Sequence, residues 1–105
     1  MIDRDVELKV GEKVYMLSPT LDAMRKINRT LGSPIEALNR SRQFDLDALC
    51  VIVSAGAGLS QKQADKLPAE IFNAGVVNVA PQVAAYLAVL MDPTGDGEEA
   101  EPGKP

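Results

Sequence analysis

Apolar and polar residues alternate near the start of the chain: Val6, Leu8 and Val10 are apolar, Glu7 and Lys9 charged. Gly11-Glu12-Lys13 supplies turn residues, and residues 14–17 form a second strand-like run. Period-two alternation on either side of a turn predicts a β-hairpin with one apolar face. An isolated hairpin is marginal in water, so it must lie on helices or pair with another copy.

The pattern then changes to helical spacing. Ser18-Pro19-Thr20 opens a helix, with Ser18 or Thr20 as its cap. Leu21, Met24, Ile27 and Leu31 make its apolar stripe, and Gly32 ends it. Ser33-Pro34-Ile35-Glu36 is a capping box with Pro in the first turn. It predicts a short helix to about Arg40, anchored by Ile35 and Leu38. Asp45 caps a third helix carrying Leu46, Leu49, Cys50, Ile52 and Val53, which ends in Ala55-Gly56-Ala57-Gly58. Ser60 and Gln63 form another capping box, opening a polar helix to about Lys66. Proline lacks the amide that a helix interior needs, so Pro68 is expected to begin a new helix ending at Gly75. Asn78 is expected to cap the last helix, with Pro81 in its first turn. The expected fold is α+β, mainly α: a hairpin followed by five or six short helices.

Residues 71–91 carry no charge at all, and Asn78 and Gln82 are the clearly polar side chains after Gly75. A helix that is apolar all round must be buried on several sides or meet a partner. A membrane span is the weaker explanation. Val76–Met91 would be about 24 Å long as a helix, short of a hydrocarbon core of roughly 30 Å. It has no Lys or Arg flank, and Asp92 follows directly. The N-terminus alternates charged and apolar residues without a long apolar run, which does not resemble a secretory signal.

With 105 residues the chain has room for one domain, expected at 1–91. Residues 1–91 hold ten acidic and ten basic residues, so the net charge of −4 comes from 92–105. That tail, with Asp92, Asp96, Glu98, Glu99 and Glu101 among Pro and Gly, has the composition of a disordered, solubilising segment. Aromatics make up 4% of the chain, which calls for an aliphatic, alanine-rich core.

Candidate chemistry is sparse. The chain has no His, which excludes His-based acid–base catalysis and His metal ligation. Its one Cys, Cys50, lies in an apolar run and reads as a small buried hydrophobe. Asp45 and Asp47 cannot face one site from a helix. No catalytic, cofactor-binding or metal-binding residue is expected. Arg25, Lys26, Arg29, Arg40 and Arg42 form the basic cluster, without interleaved aromatics. Residues 58–67 resemble the first half of a helix-turn-helix. The following stretch, 68–74, carries Glu70 and no Lys or Arg, which argues against nucleic acid.

Taken in order, several elements resemble one family. They are Val6-Glu7-Leu8, then Leu17-Ser18-Pro19-Thr20 leading to Ala23, Met24, Ile27 and Leu31-Gly32. Ala57-Gly58-Leu59-Ser60, Ala74-Gly75 and Val83-Ala84-Ala85-Tyr86-Leu87 follow. This order and spacing, over about residues 5–90, is similar to the tail assembly chaperones of gene transfer agents and siphophage-like tails, some of which carry the label tail tube protein. The resemblance implies a non-catalytic protein in the cytoplasm of a bacterial host. It would bind the aggregation-prone tail tape measure protein and keep it soluble until tail tube subunits displace it. The tail tube protein and a second copy are further candidate partners. Some relatives also make a longer, frameshifted product.

A chaperone for apolar helices needs an adaptable apolar surface. Phe72, Val76, Val77, Val79, Val83, Tyr86 and Leu87 are the candidate partner-binding residues, with Met16, Met24 and Met91 adding plasticity. The competing expectation is that these residues form the core. The specific expectation is that Val76, Val77 and one face of the last helix stay partly exposed. A structural tail component, tube or connector, is the alternative role; so little β-structure argues against it. A helix-turn-helix regulator is a distant third.

Overall fold

The computed structural model describes residues 4–93. Strands β1 (Val6–Val10) and β2 (Lys13–Leu17) form an antiparallel hairpin. Five helices follow: α1 (Leu21–Leu31), α2 (Pro34–Arg42), α3 (Leu46–Ala57), α4 (Gln61–Ala74) and α5 (Val76–Met91). The chain is thus α+β and mainly α.

The hairpin register pairs Val6 with Leu17, Leu8 with Tyr15 and Val10 with Lys13 on the face that meets the helices. Glu7 with Met16 and Lys9 with Val14 face outward. Leu8, Val10 and Leu17 are buried, as the alternation predicts. The two most apolar helices, α3 and α5, lie at the centre. β1 packs on α5 and β2 on α3; α1 and α2 close one side, and α4 contacts α3 and α5. The buried side chains form one cluster, dominated by Leu, Ile, Val and Ala, with Tyr86 the largest fully buried residue.

Gly56 allows the closest packing in this core. A β-carbon there would sit 3.0 Å from the Tyr86 ring and 3.2 Å from Leu17 Cβ. The Tyr86 hydroxyl donates to the Ser18 carbonyl (2.7 Å), and the Ser18 amide donates to the Gly56 carbonyl (2.9 Å). Hairpin exit, α3 and α5 are tied at one point, with the buried hydroxyl satisfied.

Four of the capping residues act as the sequence predicts, although Ser33 caps without the reciprocal Glu36 bond of the expected box. Thr20, Ser33, Asp45 and Ser60 each accept from the third helical amide, and Ser60 with Gln63 makes a full capping box. Several expectations need correction. Residues 61–74 are one helix, not two: Pro68 lies in its interior, where burial of Leu67 and Ile71 on either side outweighs the missing hydrogen bond. The turn that a helix-turn-helix requires is therefore absent from this segment.

The last helix begins at Val76, before Asn78. Gly75, at φ 101° and ψ 113°, ends α4 and starts α5, a conformation that side chains disfavour. Asn78 lies inside the first turn, and its amide donates back to the Ala74 carbonyl (2.9 Å). Pro81 consequently falls in the second turn, not the first. Helix α2 runs past Arg40 to Arg42 and is anchored by Ala37, Ser41 and the half-buried Leu38; Ile35, the other expected anchor, points out. On α1 the buried stripe is Ala23, Ile27 and Leu31, with Leu21 outside. These apolar residues stand at helix starts, where the chain has only begun to turn onto the core.

The expected tail falls largely outside the described residues. Its first two residues are placed: Asp92 donates its amide to Val89, and the Pro93 carbonyl accepts from Arg4 (3.2 Å).

Candidate functional site

Helix α5 has two apolar faces, and only one of them is used by the core. Val79, Ala80, Val83, Tyr86, Leu87 and Leu90 are buried. On the opposite side Val77, Pro81, Ala85, Ala88 and Met91 are exposed and Ala84 is half-buried. At about 100° per residue, these outward positions fall within one arc of roughly 120°. Neither Asp, Glu, Lys nor Arg occurs on the helix, so this open face is uncharged for its full length.

Apolar side chains flank it. Phe72, on α4 just before the Gly75 corner, is 71% exposed, and Val77, just after it, is 63% exposed. Along the middle lies a slot of about 270 Å³ lined by Ser41, Arg42, Phe44, Ala80, Pro81 and Ala84. Phe44 stands there with φ 59°, the one residue other than glycine with positive φ among the described residues. An aromatic in this conformation is strained, and the ring stands half-exposed beside the slot. The α2–α3 junction that fixes it is braced by Arg40, whose Nε donates to Asp45 (2.8 Å). At the far end Leu21, Met24 and Met91 help to line a second hollow of about 330 Å³. Small residues in the middle with larger ones at the ends allow another helix to approach closely.

This arrangement divides the predicted site residues. Phe72 and Val77 lie on the surface and Val76 is half-buried. Val79, Val83, Tyr86 and Leu87 are fully buried, and their expected role as contact residues is corrected: they hold α5 on the hairpin and α3. One face of the last helix is open, as expected, but it is the face of Pro81, Ala84, Ala85 and Ala88. Periodicity alone could not choose between the two faces, since both are apolar. Of the three methionines expected to add plasticity, Met16 and Met91 are exposed and Met24 is half-buried. Phe44 was not foreseen, because its exposure depends on a turn geometry without glycine.

A separate polar cluster joins hairpin and α4. Glu70 accepts from the Lys13 ammonium (2.6 Å) and from the Tyr15 hydroxyl. Burial alone would raise the Glu70 pKa, but these two donors outweigh it and hold the carboxyl below its usual value. Burial and Glu70 both raise the Tyr15 pKa. On the outer side of β1, the Gln82 carboxamide accepts from the Lys9 amide (2.8 Å) and donates to the Lys9 carbonyl (3.0 Å). It closes that strand edge as a further strand would.

Burial, then the Asp47 charge, push the Cys50 thiol up to about 11, which makes it a poor nucleophile at neutral pH. Among the described residues no three Cys, Asp or Glu side chains are grouped to hold a metal ion. In the basic cluster, Lys26 pairs with Asp22 (3.2 Å) and Arg40 with Asp45. No single helix among the described residues is long and apolar enough to cross a membrane; α4 and α5 together meet that length and composition but are bent by 119°. Comparisons with protein-family models, curated proteins and solved structures find no match to this chain.

Proposed function

We propose that the protein is a non-catalytic tail assembly chaperone that binds the tape measure protein in the bacterial cytoplasm and keeps it soluble until the tail tube forms around it. The observation that carries this reading is the uncharged outward face of α5, from Val77 to Met91, on a domain whose core is already complete without it. An amphipathic helix laid along such a face would bury its own apolar stripe against Val77, Pro81, Ala84 and Ala88. Its larger side chains would enter the slot beside Phe44. Burial at about 25 cal/mol per Å² supplies the attraction without any fixed sequence of contacts. That suits a client made of many similar apolar helices.

The test is co-expression with the tape measure protein of the same tail gene cluster. The expected result is that the client moves to the soluble fraction and co-purifies. If it stays insoluble and the protein is found instead in purified particles, the chaperone reading fails in favour of a structural role.

A further inference from the structure

We propose that the free edge of β2 binds one extended polypeptide segment, with an acidic residue between two apolar ones, as a third strand in the groove between β2 and α4. The hairpin closes between Val10 and Lys13, so Leu8–Tyr15 and Val6–Leu17 also exchange backbone hydrogen bonds. The backbone groups of Val14 and Met16 therefore point away from β1. On the far side of the hairpin the equivalent groups of Lys9 are both taken by Gln82. Among the described residues nothing takes those of Val14 and Met16. The outer edge of β1 is thus capped at Lys9, whereas the edge of β2 beside α4 is left as a template for pairing.

The open edge is also a groove. A volume of about 670 Å³ lies beside it, lined by Val14, Tyr15 and Met16 on one side and by Leu59, Lys62 and Lys66 on the other. The Val14 and Met16 side chains are 52% and 51% exposed.

The occupant follows from alternation. Residues paired with Val14 and Met16 would place their side chains on the outer face, beside these two apolar groups. The residue between them would face α4. There Glu70 is engaged by Lys13 and Tyr15 and also feels the Lys66 charge, while Lys62 and Lys66, one turn apart, form no direct ion pair among the described residues. An acidic side chain at that position meets two ammonium groups. A second copy of β2 is a poorer occupant. It offers Tyr15 at the central position and would bring its own Lys62 and Lys66 toward the same wall. None of these residues belongs to the open face of α5, so the inference goes beyond the chaperone reading and does not depend on it.

The test uses the full-length protein labelled with nitrogen-15 and three synthetic peptides, TVEVT, TVKVT and TPEPT. With TVEVT the amide signals of Val14 and Met16 should shift most and exchange more slowly with solvent. TVEVT should bind roughly tenfold more tightly than TVKVT, the effect of one charge-assisted contact. Substituting both Lys62→Glu and Lys66→Glu, at exposed positions, should reverse that preference. The proposal is overturned if TPEPT, which lacks the pairing amides, acts on the same signals equally strongly. It is also overturned if TVEVT leaves β2 unchanged. A doubled mass with Val14 and Met16 protected before any peptide is added would assign the edge to a second copy and equally overturn it.

Discussion

Replacing Val77 by Asp separates a surface role from a core role. The side chain is about one-third covered in the isolated domain. Removing it forfeits roughly one-third of the 1.5–3 kcal/mol that full burial of such a residue contributes, or about 0.5–1 kcal/mol. The new carboxylate stands in the first turn of α5, where no side chain caps the helix and no acidic residue is present. The helix dipole there returns about 0.3–1 kcal/mol, and Val and Asp have similar helix propensities. The two terms nearly cancel, so stability should change by less than about 0.5 kcal/mol, and the melting temperature by less than about 4 °C.

Binding should respond differently. A client helix that covers the rest of the side chain loses about 1–2 kcal/mol of apolar burial. Covering the carboxylate adds at least about 1 kcal/mol of desolvation. Together these weaken binding by roughly thirtyfold or more. Thermal unfolding by circular dichroism and the soluble yield of co-expressed tape measure protein read the two effects separately. A melting temperature lowered by more than about 8 °C would mean that Val77 packs inside the fold. An undiminished yield of soluble client would remove the α5 face as the binding surface. Val83→Asp is the contrasting substitution: it buries an unpaired charge at a fully enclosed site, and no folded protein is expected.

Gly56→Ala should destabilise by up to about 2 kcal/mol in chemical unfolding. The gain in helix propensity of about 1 kcal/mol is smaller than the overpacking against Tyr86, whose ring is enclosed and whose hydroxyl is held by Ser18; a stabilised variant would show that the ring can yield. Asp45 is held below its ordinary value of 3.8 by the Ala48 amide and then by Arg40, and Glu70 below 4.5 by Lys13 and Tyr15 despite its burial. Depressed carboxyl pKa values contribute stability above the unfolded-state values that is lost as pH falls through the folded ones. Asp45→Asn should therefore be less stable than the parent at pH 7, with the gap narrowing below about pH 4; a gap independent of pH would refute the assignment. Cys50 should react with a thiol reagent at pH 8 more than roughly tenfold slower than a free cysteine, accelerating on denaturation; equal rates would mean the thiol is open to solvent.

How far the sequence could be read depended on whether a feature was local. The hairpin, the four side-chain caps and the ends of α1 and α3 follow from short-range chemistry, and each stands where Ser, Thr, Asp or Gly places it. The two interior prolines misled for the opposite reason. Pro68 and Pro81 locally favour helix starts, but tertiary burial of Leu67, Ile71, Val79 and Val83 carries α4 and α5 through them. The candidate surface was half legible. Absence of charge marked the helix that keeps an open apolar face, while the choice of face on α5 depended on where the hairpin and α3 came to rest.

The Gln82 cap on β1 bears on what kind of assembly this chain can build. A subunit that propagates a continuous sheet around a ring or along a fibre must offer two complementary edges, one to receive a strand and one to extend it. Here the carboxamide of Gln82 occupies the Lys9 position of one of them. A strand arriving at β1 would have to displace that side chain, whereas one arriving at β2 displaces nothing among the described residues. The two edges are therefore unequal, and strand addition through β2 favours a terminated pair over a continuous sheet.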